Sequence, residues 1–314
     1  MVLSPLNDMD ENNEESRNIN EINISVAWGH IAVKTWGEPH HKHVLMFHGV
    51  GDNAGTFDNL VPLLPRNFYY ICTDFPSHGN SSHLPLSLPI NSNDFLFVVK
   101  MIMDYFNKDK YIYIGHSMGG LIGFWICKIY PERFEKFISL DGSHFFTIEG
   151  KDSVNYLKVI ISKQEKMLQY LLQRKGLEYT YDEIAEIVST RRYGDEVLTK
   201  KATEPLLKRC LEPTGNGTYY YTTDLRVFFM VGPLQDINYA RDLLKMHSFS
   251  CPVLMVLAKM NQRLLKDYKP TVEQLLKTEN ITTVFVDGKH DVHNNRPELV
   301  APHIINFLQT NSKL

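Results

Sequence analysis

Two rhythms of apolar residues alternate along the chain. Val44–Phe47, Phe68–Thr73, Tyr111–Ile114 and Phe137–Leu140 are short continuous runs with the length and side chains of strands buried on both faces. Between them, Asp94–Phe106 places Phe95, Val98, Val99, Ile102 and Phe106 at helical spacing. Leu121–Tyr130 reads as a mostly apolar helix, and Asn53–Leu64 is predicted to be another. Strand then helix, repeated, predicts parallel strands joined by right-handed crossovers. Ahead of them, Glu21–Trp36 alternates apolar and polar residues on both sides of Trp28-Gly29-His30, the pattern of a hairpin.

The rhythm breaks at Ser143. Ser153–Leu172, Tyr181–Arg192 and Glu196–Cys210 carry helical spacing without intervening strand signals, which predicts an inserted helical cap over 143–234. Asn238–His247 is helical, Pro252–Leu257 a strand, Thr271–Thr278 a helix, Thr282–Val286 a strand and Pro297–Leu308 the last helix. Residues 1–20, rich in Asn, Asp and Glu, are expected to be a disordered tail. The expected core is therefore 21–142 with 235–311.

Bulk properties narrow the classes. Lys and Arg number 33 against 36 Asp and Glu, so no electrostatic footprint for nucleic acid or an acidic membrane is expected. No apolar run reaches the ~20 residues that span a bilayer, and no signal peptide is visible. Cys72, Cys127, Cys210 and Cys251 lie far apart without metal-site spacing and read as reduced intracellular thiols; two bridges in an oxidising compartment are the alternative. His40-His41-Lys42-His43 is expected to be an exposed turn, not a metal site. The sequence ends Ser312-Lys313-Leu314, the tripeptide read by the peroxisomal import receptor when carboxyl-terminal. Peroxisomal localisation is therefore expected, with a cytoplasmic fraction allowed.

The chemistry centres on Gly115-His116-Ser117-Met118-Gly119, which follows a strand and opens a helix. This is the context of a nucleophile elbow, where a serine in strained backbone stands at the carboxyl edge of a sheet. Serine attack needs a base and an acid that orients it, in chain order serine, acid, histidine. Asp287-Gly288-Lys289-His290 follows the final strand, and His290 is the expected base ahead of its rival His293. The usual acid position after Pro252–Leu257 holds Asn261, which is no carboxylate. Asp141, at the end of the preceding strand, is the expected acid, with Asp267 of the 261–267 loop the alternative. Two backbone N–H groups should receive the oxyanion, those of Met118 and, from His48-Gly49-Val50-Gly51, Val50. His48 and His116 are expected as supporting neighbours, and His78 and Asp74 as braces of the adjacent loop.

The set His48-Gly49, Asp74–Ser82, Gly115–Gly120 and Gly288–His293 resembles the α/β-hydrolase superfamily. His48–Ala54, Leu60–Pro65, the Trp28-Gly29-His30 hairpin, Asp74-Phe75 and His78-Gly79 more narrowly resemble the animal serine hydrolase-like, or kraken-like, proteins. The resemblance runs over about Glu21–Leu308, is weak in the cap, and implies an association with peroxisomes, a mechanism class and no firm substrate. It implies the α/β-hydrolase fold, an eight-stranded, mostly parallel sheet flanked by helices. A serine nucleophile departs from the aspartate of haloalkane dehalogenases and epoxide hydrolases. The expectation is a serine hydrolase, carboxylesterase- or thioesterase-like, that cleaves a carboxylic ester or thioester through an acyl-enzyme on Ser117, without metal or organic cofactor. Cap residues such as Tyr156, Leu157, Leu171 and Tyr219–Tyr221 are expected along the acyl pocket. The rival, supported by Asn261, is a ligand-binding or receptor protein on a hydrolase scaffold with little turnover.

Overall fold

A computed structural model describes residues 17–87, 89–142, 148–173, 178–232, 236–246, 248–261 and 269–310. An antiparallel pair, β1 (Ile19–Val26) and β2 (Gly29–Trp36), forms one edge of the sheet. It continues through β3 (Lys42–Phe47), β4 (Phe68–Thr73), β5 (Tyr111–His116) and β6 (Phe134–Leu140). Helix α1 (Asp94–Phe106) precedes β5, and α2 (Met118–Ile129) follows it. The insertion contains α3 (Ser153–Gln173), α4 (Tyr181–Thr190), α5 (Lys200–Leu207) and the small hairpin β7 (Leu211–Pro213) and β8 (Tyr219–Tyr221). Then come α6 (Ile237–Met246), β9 (Val253–Ala258), α7 (Lys269–Leu275), β10 (Ile281–Val286), α8 (Val292–Asn295) and α9 (Ala301–Gln309).

The sheet has eight strands in the order β1-β2-β4-β3-β5-β6-β9-β10, and every pairing from β4 to β10 is parallel. Parallel sheets bury both faces, so their strands read as unbroken apolar runs. Here Leu45, Phe47, Tyr113 and Phe137 pack on one side with α1 and α2 through Phe95, Val99, Ile122 and Phe124. Met46, Ile112, Ile114 and Ile138 pack on the other with Phe57, Leu60, Ile304 and Leu308. Truncating a buried isoleucine such as Ile114 to alanine would cost about 2–5 kcal/mol.

The structure corrects several expectations. Asn53–Leu64 is two 3-10 turns, Ala54–Phe57 and Val61–Leu63, not a helix. Asn53 accepts from Gly55 N–H, Asp74 from Ala54 N–H at 2.6 Å, and Pro62 brings no N–H to a helical ladder. Strand β1 begins inside the expected tail, and Arg17 donates to the Val61 carbonyl at 2.6 Å. His43 is a buried strand residue packed against Tyr69, so only part of its cluster is a turn. Helix α5 is shorter than Glu196–Cys210, since Thr199 caps its start while Glu196 is buried and accepts from Asp291 and Asn295, and the tyrosine run pairs with Leu211–Pro213 as strand. The four cysteines are free and buried. Asp267 and Ser312-Lys313-Leu314 lie outside the described residues, as does the side chain of Leu171. Among the described residues no helix is long and apolar enough to cross a membrane.

Candidate active site

Ser117 sits between β5 and α2 with φ 50 and ψ −113, a conformation that non-glycine residues rarely adopt. Steric room makes it possible: a Cβ on Gly115 would strike the Gly119 backbone, and one on Gly119 the Phe47 carbonyl. The elbow is further tied down by Ser117 N–H to the Leu140 carbonyl (3.1 Å), Gly119 N–H to the His48 carbonyl (3.1 Å) and the Tyr113 hydroxyl to the Gly119 carbonyl (2.7 Å).

His290 Nε2 lies 2.9 Å from Ser117 Oγ, and His290 Nδ1 lies 2.7 Å from Asp141 Oδ2. Asp141 itself is at positive φ, 48, at the end of β6, where its N–H is held by the Val256 carbonyl at 2.8 Å. Its other oxygen accepts from Ala258 N–H at 2.9 Å, and Asn261 Nδ2 donates to Oδ2 at 2.6 Å. The structure thus joins Ser117, His290 and Asp141, and gives Asn261 a place the sequence did not suggest. Its amide supports the carboxylate instead of replacing it. Asp141 stands at the end of β6 and Asn261 just past the end of the adjacent β9, which brings the amide to the carboxylate.

Electrostatics separate the histidines. Burial alone would push His290 down, but the hydrogen bond and charge of Asp141, with Asp291 adding to them, outweigh it, and its pKa is raised above the usual imidazole value. Burial lowers His116 to about 4 and pushes His293 and His78 well down. His48, also lowered by burial, accepts from Phe75 N–H at 3.0 Å, so its Nδ1–H donates to the Gly49 carbonyl at 2.7 Å. His293 is buried against Thr56 Oγ1 at 2.9 Å, with its ring tilted against that of His116, and has no bond to Ser117. Asp74 is a brace, accepting from Ala54 and Asn80 N–H groups and pairing with Arg209.

A cavity of about 320 Å³ includes Ser117, His290, Gly49, Val50 and Met118 in its lining. Its apolar wall comes from Leu121, Ile122 and Trp125 of α2 and from Tyr156, Ile160, Val227, Phe228 and Met230 of the insertion. Of the cap residues expected there, Tyr156 lines the cavity. Leu157 of α3 does not, and neither do Tyr219–Tyr221, because the β7–β8 hairpin packs on α4 and α5 through Tyr221.

The residues least legible in the sequence lie beside the base. Arg192 donates to Asp52 at 2.5 and 3.0 Å and to both oxygens of Asp291, with one of those bonds at 3.0 Å. Asp52, His116 and Asp291 offer ligand atoms all within 4.8 Å of one another, but the positive charge between the two carboxylates is the guanidinium. Burial alone would raise Asp291; Arg192 reverses this and holds it below the usual carboxylate range. Asp52 stands in the loop quoted above and Asp291 follows His290, but an arginine after a cap helix carries no local signal.

A family profile described as alpha/beta hydrolase fold matches residues 42–297. The serine hydrolase-like protein of Danio rerio is 30% identical over 300 residues, covering 94% of this chain and 90% of its own. That of Mus musculus is 30% identical over 305 residues, covering 92% and 95%. An sn-1-specific diacylglycerol lipase of Xenopus tropicalis is 23% identical over 277 residues, covering 85% and 78%. Among solved structures, a hypothetical protein of Pseudomonas aeruginosa superposes with TM-score 0.77 at 25% identity, over 92% of this chain and 99% of that one. The thioesterase domain of the curacin biosynthetic pathway superposes with TM-score 0.72 at 18% identity, over 92% and 99%. With an eight-stranded sheet, a serine elbow and relatives matched over nearly their whole length, the chain belongs to the α/β-hydrolase family and, within it, to the serine hydrolase-like proteins.

Proposed function

We propose that the protein cleaves a carboxylic ester or thioester with a lipophilic acyl part through an acyl-enzyme on Ser117. The observation that carries this is the unbroken contact from Asp141 to His290 to Ser117, at 2.7 and 2.9 Å, on the floor of an apolar cavity. Ser117 Oγ attacks the acyl carbon while its proton passes to His290 Nε2. Asp141 keeps the other imidazole proton on Nδ1 and stabilises the imidazolium. The oxyanion is received by the N–H of Met118, at the start of α2, and by that of Val50. The tetrahedral intermediate expels the alkoxide or thiolate, which takes the proton from His290. Water, deprotonated by the same imidazole, then hydrolyses the acyl-enzyme. The cavity wall and the Xenopus relative named as a diacylglycerol lipase support a lipophilic acyl part.

The rival, a binding protein with little turnover, drew its support from Asn261 in place of an acid, yet Asn261 donates to Asp141. A fluorophosphonate probe decides between them. Wild type should label on Ser117 and Ser117→Ala should not; a folded wild type that fails to label would end the enzyme reading. We also propose delivery to peroxisomes through Ser312-Lys313-Leu314 and the import receptor. Deleting the tripeptide should leave a fluorescent fusion in the cytosol, and unchanged punctate fluorescence would refute it.

A further inference from the structure

The insertion grips the loop after β10 residue by residue. Lys289 Nζ donates to the Asp195 carbonyl at 2.8 Å, and the ring of Tyr193 lies 4.8 Å from that of His290. Asp291 takes Arg192 on its carboxylate, while its N–H donates to Glu196 at 2.7 Å. Through its other edge Arg192 holds Asp52, whose N–H bonds the Gly49 carbonyl at 3.3 Å. One guanidinium from the insertion thus connects the loop of the proposed oxyanion donor Val50 to the loop of the proposed base. The Asp52 and Asp291 side chains are 1% and 0% exposed and that of Arg192 is 8% exposed, so solvent screens this charge set poorly.

Resting on the serine-hydrolase reading above, we infer that Arg192 is a positioning residue for the reaction: it locks the His290 loop against the Val50 loop and sets the charge beside the imidazole. Two carboxylates and one guanidinium leave one net negative charge next to His290. The other groups facing that ring are Asp141 from β6, Ser117 from the elbow, neutral His116 and His293, and Tyr193 and Glu196 from the insertion. His116 Nε2 donates to the His290 carbonyl at 3.1 Å, a separate restraint on the backbone of the base.

The test is the rate at which a fluorophosphonate labels Ser117, measured against pH, because labelling requires neutral His290. Removing the guanidinium leaves the charge more negative, favours the imidazolium and moves the midpoint of the rise upward. Arg192→Gln should therefore raise the midpoint by about one unit and slow labelling on the order of tenfold to a hundredfold. Asp291→Asn should move the midpoint the other way. Adding Asp52→Asn to Arg192→Gln should bring it back toward wild type. Arg192→Lys keeps the charge but not the paired forks, so it should keep the midpoint and lose rate; it serves also if the glutamine variant does not fold. If the folded variants lose only thermal stability, with the wild-type midpoint and rate, Arg192 is structural and the inference fails. If wild type does not label at any pH, the reading beneath it fails instead.

Discussion

Inside the sheet, the strands are held by apolar side chains on both faces, whereas the insertion meets the sheet through buried arginines. Arg209 reaches Asp74 with bonds of 2.9 to 3.2 Å. Arg226, paired with Asp224, donates to the carbonyls of Leu84 and Pro85 at 3.0 and 3.2 Å. Arg192 spans Asp52 and Asp291. The groups proposed to react all stand on the sheet's own strand ends and loops, and the insertion supplies walls and charges. A sheet edge built by close packing gives fixed distances, as the elbow needs, while bidentate arginine pairs fix orientation where the insertion meets the loops of the sheet.

This contrast predicts different failures on its two sides. On the sheet side, Ser117→Ala should lower turnover of a p-nitrophenyl acyl ester on the order of 10³-fold or more without loss of stability. Asp141→Asn should cost nearly as much, on the order of 10³-fold; wild-type turnover in that variant would move the acid elsewhere. Across the junction, Arg209→Leu leaves Asp74 buried without its partner and should cost about 3–5 kcal/mol in urea unfolding. A loss near zero there would mean that the arginines are not what seats the insertion. Asn261→Ala removes one donor from Asp141 and should reduce turnover roughly tenfold, a small effect that separates a supporting amide from an essential one.

A separate effect is a pH dependence of stability. His48, His78, His116 and His293 are buried with pKa values lowered by burial, and they lie in tilted ring pairs, His48 with His78 at 4.9 Å and His116 with His293 at 3.9 Å. Below an unfolded pKa of about 6.5 the unfolded chain takes up protons that these rings do not, so stability falls as pH drops. For His116 the loss runs from about 6.5 down to about 4. The slope is about 1.4 kcal/mol per pH unit for each such histidine. A melting temperature that stays level between about pH 7 and pH 5 would show that the pairs accept protons in place.

Much of this molecule was legible in order along the chain. The strand runs, the helix Asp94–Phe106, the serine turn and the choice of His290 over His293 all rest on signals within a few residues: apolar period, glycine sterics, and a glycine turn ahead of an imidazole. The two 3-10 turns were misread because apolar spacing does not report that Asp74 and Pro62 redirect the backbone hydrogen bonds. Asp141 was legible from its place at a strand end, but the role of Asn261 was beyond the reach of any local signal. Asp141 ends one strand and Asn261 follows the next, and only packing decides that the carboxylate touches His290 Nδ1 while the amide donates to that carboxylate. The same holds for Arg192, whose two carboxylates lie far from it in sequence, because a buried charge is placed by its partners and not by its neighbours along the chain.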